Sequence, residues 1–324
     1  MNSKSKNYSE NEQLALNEYK YLKLKKIDYK FIIFIFISIC KFISLFIIII
    51  MIKTNKQELS IKNQLIEKLN LIENNLKSIK DNKINYQNNY NIYKFLCPNG
   101  VVGHNKIRFG RKADGGYILL DDINNIRIAY SFGISKEISF DKELADRNID
   151  IYMYDHTIKR LPFENQRFHW KKIGLSGIIT NNTNLKTLPE LLKENGHYKE
   201  KDMILKLDIE SYEWEVFQNL SNQILNQFKY IVGEFHFSRN PKFNYSNILK
   251  KIQITHNIFH LHCNNCGRII SLDGYKICNL LEISFIKKAG YKFDKNNAIF
   301  PIKELDYKNC RKKREITDIL NVYI

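Results

Sequence analysis

Leu205–Trp214 reads LKLDIESYEW, and its first half closes a short apolar run, Met203–Leu207, on the carboxylate of Asp208. Five such residues are too few for a helix and suit a buried strand. The pattern over Glu213–Leu225 is then helical, so the stretch reads as strand, acidic tip, helix. The same grammar repeats outward in both directions. Ile126–Ser131 is a predicted strand followed by a glycine turn and a helix over Ile138–Arg147, and Asp150–Tyr154 is a strand ending at Asp155. Tyr230–Val232 leads to Glu234, and Ile258–His262 and Leu281–Ile286 are two later strands. Short apolar runs alternating with helical patterns indicate α/β units around a mostly parallel sheet, from about residue 96 onward.

In open α/β sheets, ligands bind outside the carboxyl ends of the strands. That places four candidates there. Ser131-Phe132-Gly133-Ile134-Ser135 is a glycine turn where backbone can approach a ligand, although one glycine is less than a full dinucleotide fingerprint. Asp155, 22 residues beyond Gly133, can accept both hydroxyl hydrogens of a ribose or cap its own turn. Asp208 and Glu210 can position a substrate, bind a cation or cap the next helix. Glu234 and His236, two apart on a strand, point the same way and suit a base and its orienting partner.

Arg108-Phe109-Gly110, Asp114-Gly115-Gly116-Tyr117, Tyr130–Ile134, LKLDIESYEW, Gly233–Phe237 (GEFHF) and Leu281–Phe285 (LEISF) occur in an order that resembles the FkbM-like and methyltransferase-like families of class I S-adenosylmethionine-dependent enzymes. The resemblance spans about 97–300. It implies a Rossmann-like sheet of seven strands and S-adenosylmethionine as cofactor, with Ser131, Phe132 and Gly133 at its methionine part and Asp155 on the ribose. It implies Asp208 near the donor methyl and Asp114–Tyr117 near the cofactor entrance. Ser135 stands where many of these enzymes have a second glycine. The expected reaction is methyl transfer to an unidentified acceptor, a hydroxyl being favoured, with His236 as base and Asp208 and Glu234 as further catalytic candidates. The same three side chains would alternatively hold a divalent ion.

Upstream, residues 31–52 (FIIFIFISICKFISLFIIIIMI) form an apolar run long enough to cross a bilayer as a helix, interrupted by Lys41. Residues 1–30 are the expected cytosolic tail, 53–95 a polar stalk and 96–324 the methyltransferase-like domain. A small lysine excess before the span favours a type II orientation in the secretory pathway. Acceptor triplets for glycosylation at Asn181, Asn219 and Asn244 agree with it. Leu65, Leu69, Ile72, Leu76 and Ile79 make about two heptads, enough for a weak dimeric coiled coil.

The formal charge is +17. The lysines are spread along the chain with no nucleic-acid-binding motif, so a dedicated nucleic-acid surface is not expected. Six cysteines are present, one of them, Cys40, in the apolar run; the remaining five spell no complete disulfide framework. His260, His262, Cys263 and Cys266 crowd into seven residues, a poor zinc site beside a local disulfide or free thiols. Asn264 and Asn265 are candidates for a substrate loop. A single span, stalk and α/β domain is also the layout of a type II membrane glycosyltransferase, but no DxD motif is present, and a non-catalytic protein on a methyltransferase fold is the third reading.

Overall fold

The computed structural model describes residues 92–317 except 240 and 273–274, together with residue 43 and helical pieces at 66–70 and 72–73. The chain divides between residues 78 and 79 into two units. The expected tail, nearly all of the expected span and most of the stalk with its heptads lie outside the described residues. No helix among the described residues is long and apolar enough to cross a membrane.

The second unit contains strands β1 (Asn99–Val101), β2 (Lys106–Phe109), β3 (Tyr117–Leu120), β4 (Ile128–Phe132), β5 (Asp150–Tyr154), β6 (Phe168–Lys171), β7 (Gly174–Leu175) and β8 (Leu185–Lys186). It continues with β9 (Met203–Leu207), β10 (Phe228–His236), β11 (His256–Cys263), β12 (Ile269–Leu272), β13 (Tyr275–Cys278), β14 (Leu280–Lys287) and β15 (Phe293–Lys295). The helices are α1 (Ser139–Ala145), α2 (Leu188–Glu194), α3 (Glu213–Asn219), α4 (Asn222–Leu225) and α5 (Tyr245–Ile252).

Seven strands form one sheet in the order β11-β14-β10-β9-β4-β5-β6. All neighbours from β10 to β6 pair in parallel, whereas β14 runs antiparallel to both β10 and β11. The sheet is therefore mixed, with the reversed strand near one edge. Chain order changes direction between β4 and β9, and this switch point is where a crevice opens above the carboxyl ends.

Alternation along the strands sorts side chains between two cores. Tyr130, Phe132, Leu205, Leu207, Ile231 and Phe235 pack with Trp214 and α5 on one face. Ala129, Ile151, Met153, Ile204, Tyr230 and Val232 pack on the other under α1 and the β2–β3 hairpin. Ser131, Lys206, Asp208, Glu234, His236 and Glu282 continue the second parity. That face turns from apolar to polar as the strands approach their carboxyl ends.

Two local predictions change. The expected helix Glu213–Leu225 is broken because Leu220 turns extended (φ −64°, ψ 136°) and the Ser221 hydroxyl caps α4 by accepting from Ile224 N. The globular part also starts before residue 96, since Ile92 is already buried beside Leu96 in the first core.

Candidate functional site

Gly133 follows β4 directly and lies against the end of β9. Asp208 N donates to Phe132 O (3.2 Å), and a Cβ at Gly133 would lie 1.6 Å from the Asp208 carbonyl oxygen. Glycine is obligatory here for space as well as for its φ of +75°. Ser135 (φ +49°), Glu210 (+55°) and Ser211 (+81°) also hold left-handed backbone. Three of the five described non-glycine residues in that region therefore border the same crevice, a concentration of strain found where structure serves a site.

The glycine loop is tied down from two sides. Lys206, buried, donates from Nζ to Phe132 O (3.1 Å) and Gly133 O (2.5 Å). Asp155 accepts from Ile134 N (2.9 Å) and Ser135 N (2.8 Å) through Oδ2, and from Thr157 N (2.7 Å) and Thr157 Oγ1 (2.6 Å) through Oδ1. Four donors fill the acceptor capacity of a carboxylate. Burial raises the Asp155 pKa and these donors outweigh it, holding the carboxyl below the usual range. In this conformation Asp155 staples the loop rather than offering free lone pairs to a ribose. Phe132 likewise departs from expectation: its ring is fully buried and stacks on Tyr154 (5.1 Å), so only its backbone borders the crevice. The helix after the turn starts where it is expected, at Ser139, and the Ser139 hydroxyl accepts from Arg111 N (2.8 Å) of the hairpin loop.

Opposite the loop the strand ends carry a carboxylate cluster. Asp208, Glu234 and His236 each bring one side-chain atom within 4.8 Å of the other two, and Asp114, Glu234 and Glu282 do the same. Two parallel strand ends explain Asp208 beside Glu234. Cross-strand register explains the rest: Glu234 stands directly opposite Glu282, and Glu282 opposite His262. Like charges opposed on neighbouring strands are destabilising, so this row is a cost the fold carries.

His236 is held by Glu213 (Nδ1–Oε1, 3.3 Å), Glu234 (Nε2–Oε1, 3.4 Å) and Glu210 (Nε2–Oε2, 3.4 Å), while its carbonyl accepts from Trp214 Nε1 (2.6 Å). Burial opposes its charge, but Glu213, Glu234 and Asp208 outweigh that and raise its pKa above the ordinary value. Glu234 is pushed well up, first by burial and then by Asp208 and Glu282. Asp208 also rises on burial, against Lys206 and His236. Near neutrality His236 thus tends to keep its proton, which weakens its expected role as base.

The hairpin loop completes the site. Tyr117 is buried, and burial followed by Asp208, Glu282, Glu234 and Asp114 keeps its phenol protonated. Asp114 is exposed and accepts from Asn309 Nδ2 (3.0 Å). Gly115 and Gly116 serve close packing: a Cβ would meet Glu137 Cγ at 2.1 Å and Arg108 Nη2 at 2.5 Å, respectively.

Sequence reading missed Lys206, Glu213, Glu282, His262, Asn264 and Asn309 as members of this network. Lys206 and Glu282 lie inside quoted motifs, and an isolated charge in an otherwise apolar strand was the available signal. The cysteines of this segment are in disulfides, as expected in preference to zinc, with partners outside it. Cys263–Cys278 and Cys266–Cys310 are disulfides, so neither cysteine of the crowded 260–266 segment offers a thiolate to zinc. His260 instead bonds Asp306 (2.7 Å) and His262 bonds Glu282 (2.7 Å). Asn264 donates to Glu234, and Asn265 bonds the backbone of Cys310, so both amides are internal fasteners.

Comparison with known proteins supplies the family. The methyltransferase FkbM domain profile matches residues 72–293, more than half of the chain, and the chain belongs to that family. It is also similar to the probable methyltransferase-like protein 24 of Homo sapiens, 26% identical over 118 residues, which cover 33% of this chain and 32% of that protein. The matched region thus spans about a third of the relative's length. A solved structure, a putative hemolysin from Streptococcus thermophilus, aligns over 65% of this chain and 78% of its own at 8% identity, with a TM-score of 0.27, too slight a likeness to bear on function.

Proposed function

We propose that this member of the FkbM methyltransferase family transfers a methyl group from S-adenosylmethionine to a hydroxyl acceptor in the crevice above β4, β9 and β10. The observation that carries this is the convergence of Asp208, Glu234 and His236 beside the Gly133 loop, at the switch point of the sheet. The residues fit the cofactor in two respects. A loop with left-handed backbone at Gly133 and Ser135 lets main chain approach a ligand closely, and a carboxylate-rich wall suits a sulfonium cation.

When bound, the cofactor supplies an electrophilic methyl group, and positioning provides much of the acceleration of such a displacement. The hydroxyl proton needs an acceptor. Glu234, raised to about 8 by burial and by Asp208 and Glu282, is suited to take it in its ionised form, because a base works best with a pKa near the operating pH. Protonated His236, fixed from behind by Glu213, orients the Glu234 carboxylate. Asp208 lines the donor side, and Asp155 with Lys206 holds the glycine loop in shape.

We infer further that residues 31–52 anchor the chain in a membrane, with the domain in the secretory lumen. The apolar run and lysine bias support this, as do two disulfides, which persist in oxidising compartments. Asn181, Asn219 and Asn244 are all exposed, as glycan acceptors must be. Treating chain expressed in eukaryotic cells with an N-glycosidase should lower its apparent mass; an unchanged mass, together with protease access from the cytosol, rejects this topology.

The cofactor reading is tested by calorimetry of the full-length chain with S-adenosylhomocysteine and with nucleotide sugars. Binding of the former alone, weakened at least 100-fold in Asp155→Ala, is the expected result. A chain that binds nucleotide sugars and not S-adenosylhomocysteine overturns it.

A further inference from the structure

The two amides that hold the site's carboxylates are each the chain neighbour of a disulfide cysteine. Asn264 follows Cys263, whose partner is Cys278, and Asn309 precedes Cys310, whose partner is Cys266. Asn264, buried, donates from Nδ2 to Glu234 Oε2 while its Oδ1 accepts from Cys266 N (2.8 Å). Asn309, also buried, donates from Nδ2 to Glu282 Oε1 (2.6 Å) and to Asp114 Oδ1 (3.0 Å), bridging two acids that with Glu234 lie within 4.8 Å of one another.

Asn309 lies beyond β15 in a segment without regular secondary structure. Such a segment loses its order cheaply unless something ties it down. Here Cys266–Cys310 ties it covalently, and Asn265 does so by hydrogen bonds, donating to Cys310 O (3.0 Å) and accepting from Cys310 N (2.8 Å). Lys313 Nζ adds a bond to Cys266 O (2.6 Å). The two disulfides thus join the end of β11 to β13 and the loop after it to the C-terminal segment.

We propose that Asn264 and Asn309 are positioning residues of the methyl-transfer site, and that the two disulfides hold them there, so the carboxylate cluster is fully assembled only in the oxidised chain. A neutral amide donor is the chemistry this task requires. It separates and aims crowded carboxylates without neutralising them, as a lysine would, and without adding a charge, as an aspartate would. This rests on the methyl-transfer reading for its purpose, while the amide geometry can be tested apart from it.

The experiment is an NMR pH titration of the His236 and His262 rings in full-length oxidised protein, paired with S-adenosylhomocysteine calorimetry on the same samples. The groups facing His236 are Glu210, Glu213, Glu234 and Asp208, and those facing His262 are Glu282, Glu315, Asp306 and His260. Asn264→Ala removes a donor from Glu234, so Glu234 holds its proton to higher pH and the His236 titration moves down by about one unit. Asn309→Ala moves His262 down similarly, and Asn309→Asp moves it up, a reversal that mere loosening of the fold does not produce. Cys266→Ser with Cys310→Ser should reproduce the Asn309→Ala shift. Asn264→Ala and Asn309→Ala keep both disulfides, so they report even where the cysteine variants fail to fold. Unmoved titrations in the alanine variants overturn the positioning role, and an unmoved His262 in a folded cysteine variant overturns the disulfide link. Failure of the wild type to bind S-adenosylhomocysteine, with the shifts intact, removes the methyl-transfer purpose and leaves the geometry standing.

Discussion

Asp155 and Glu234 are both carboxylates at the carboxyl end of a central strand, about as alike as two acids in this sheet can be by sequence. Their surroundings make them opposites. Asp155 receives four hydrogen bonds from a loop, its acidity is strengthened, and it has no acceptor capacity left over. Glu234 is crowded by Asp208 and Glu282, has one amide donor and a histidine, and has its acidity weakened. The first is built to hold a shape and the second to exchange a proton. Position at a strand tip does not separate these roles; the balance of donors and like charges around the carboxyl does.

The largest effect that would sharpen this contrast is on rate. Glu234→Gln keeps the shape and removes the acceptor, so methyl transfer to any hydroxyl found by screening with labelled S-adenosylmethionine should fall about 100- to 10,000-fold. S-adenosylhomocysteine affinity should stay within a few-fold. A variant that retains full turnover breaks the assignment of Glu234 as base.

Asp155→Ala should act on stability as well as on cofactor affinity. It strands the N–H groups of Ile134, Ser135 and Thr157, and a lost cluster of this kind costs about 2–4 kcal/mol, read as a lower midpoint in thermal or urea unfolding. Asp155→Asn keeps an acceptor oxygen and should recover part of the loss. An unchanged midpoint in Asp155→Ala contradicts the loop staple.

The smallest effect is a difference in sign. Asp155 has a folded pKa below its unfolded one, so its contribution is present above about pH 4 and is lost as pH falls through the folded value. Glu234 and His236 have folded values above their unfolded ones, so their contributions are present at low pH and are lost as pH rises through the folded values, from about pH 4.5 past neutrality. Urea midpoints measured across pH 3–9 should therefore show an acid limb flattened by Asp155→Asn and an alkaline limb flattened by Glu234→Gln. Interchanged limbs would refute the comparison.

Much of this was legible in the chain. Asp150–Tyr154 and Met203–Leu207 were read to the residue, because buried parallel strands are short apolar runs with sharp polar ends. The convergence of Asp208, Glu234 and His236 was likewise visible, since all three stand at strand tips. The helix after Asp208 was misread as continuous because helical periodicity carries across Leu220–Ser221, where only the extended backbone of Leu220 and the Ser221 cap reveal the break. The partners of the cysteines were not legible because counting residues cannot show which pairs approach: Cys266 and Cys310 lie 44 residues apart in sequence and 5.1 Å apart between Cα atoms.

The sequence by itself determined the alternation of strands and helices, the strand tips that carry Asp208 and Glu234, and the shared face of Glu234 and His236 on one strand. These follow from local periodicity and chain order, which are written in neighbouring residues. Only the tertiary structure decided that Asp155 is a staple, that Glu282 stands against Glu234, and that Asn264 and Asn309 reach the same acids from either side of the two disulfides. Those facts depend on strand register and on contacts across as many as 195 residues between Asn309 and Asp114, and the strength of an acid is set by such neighbours in space.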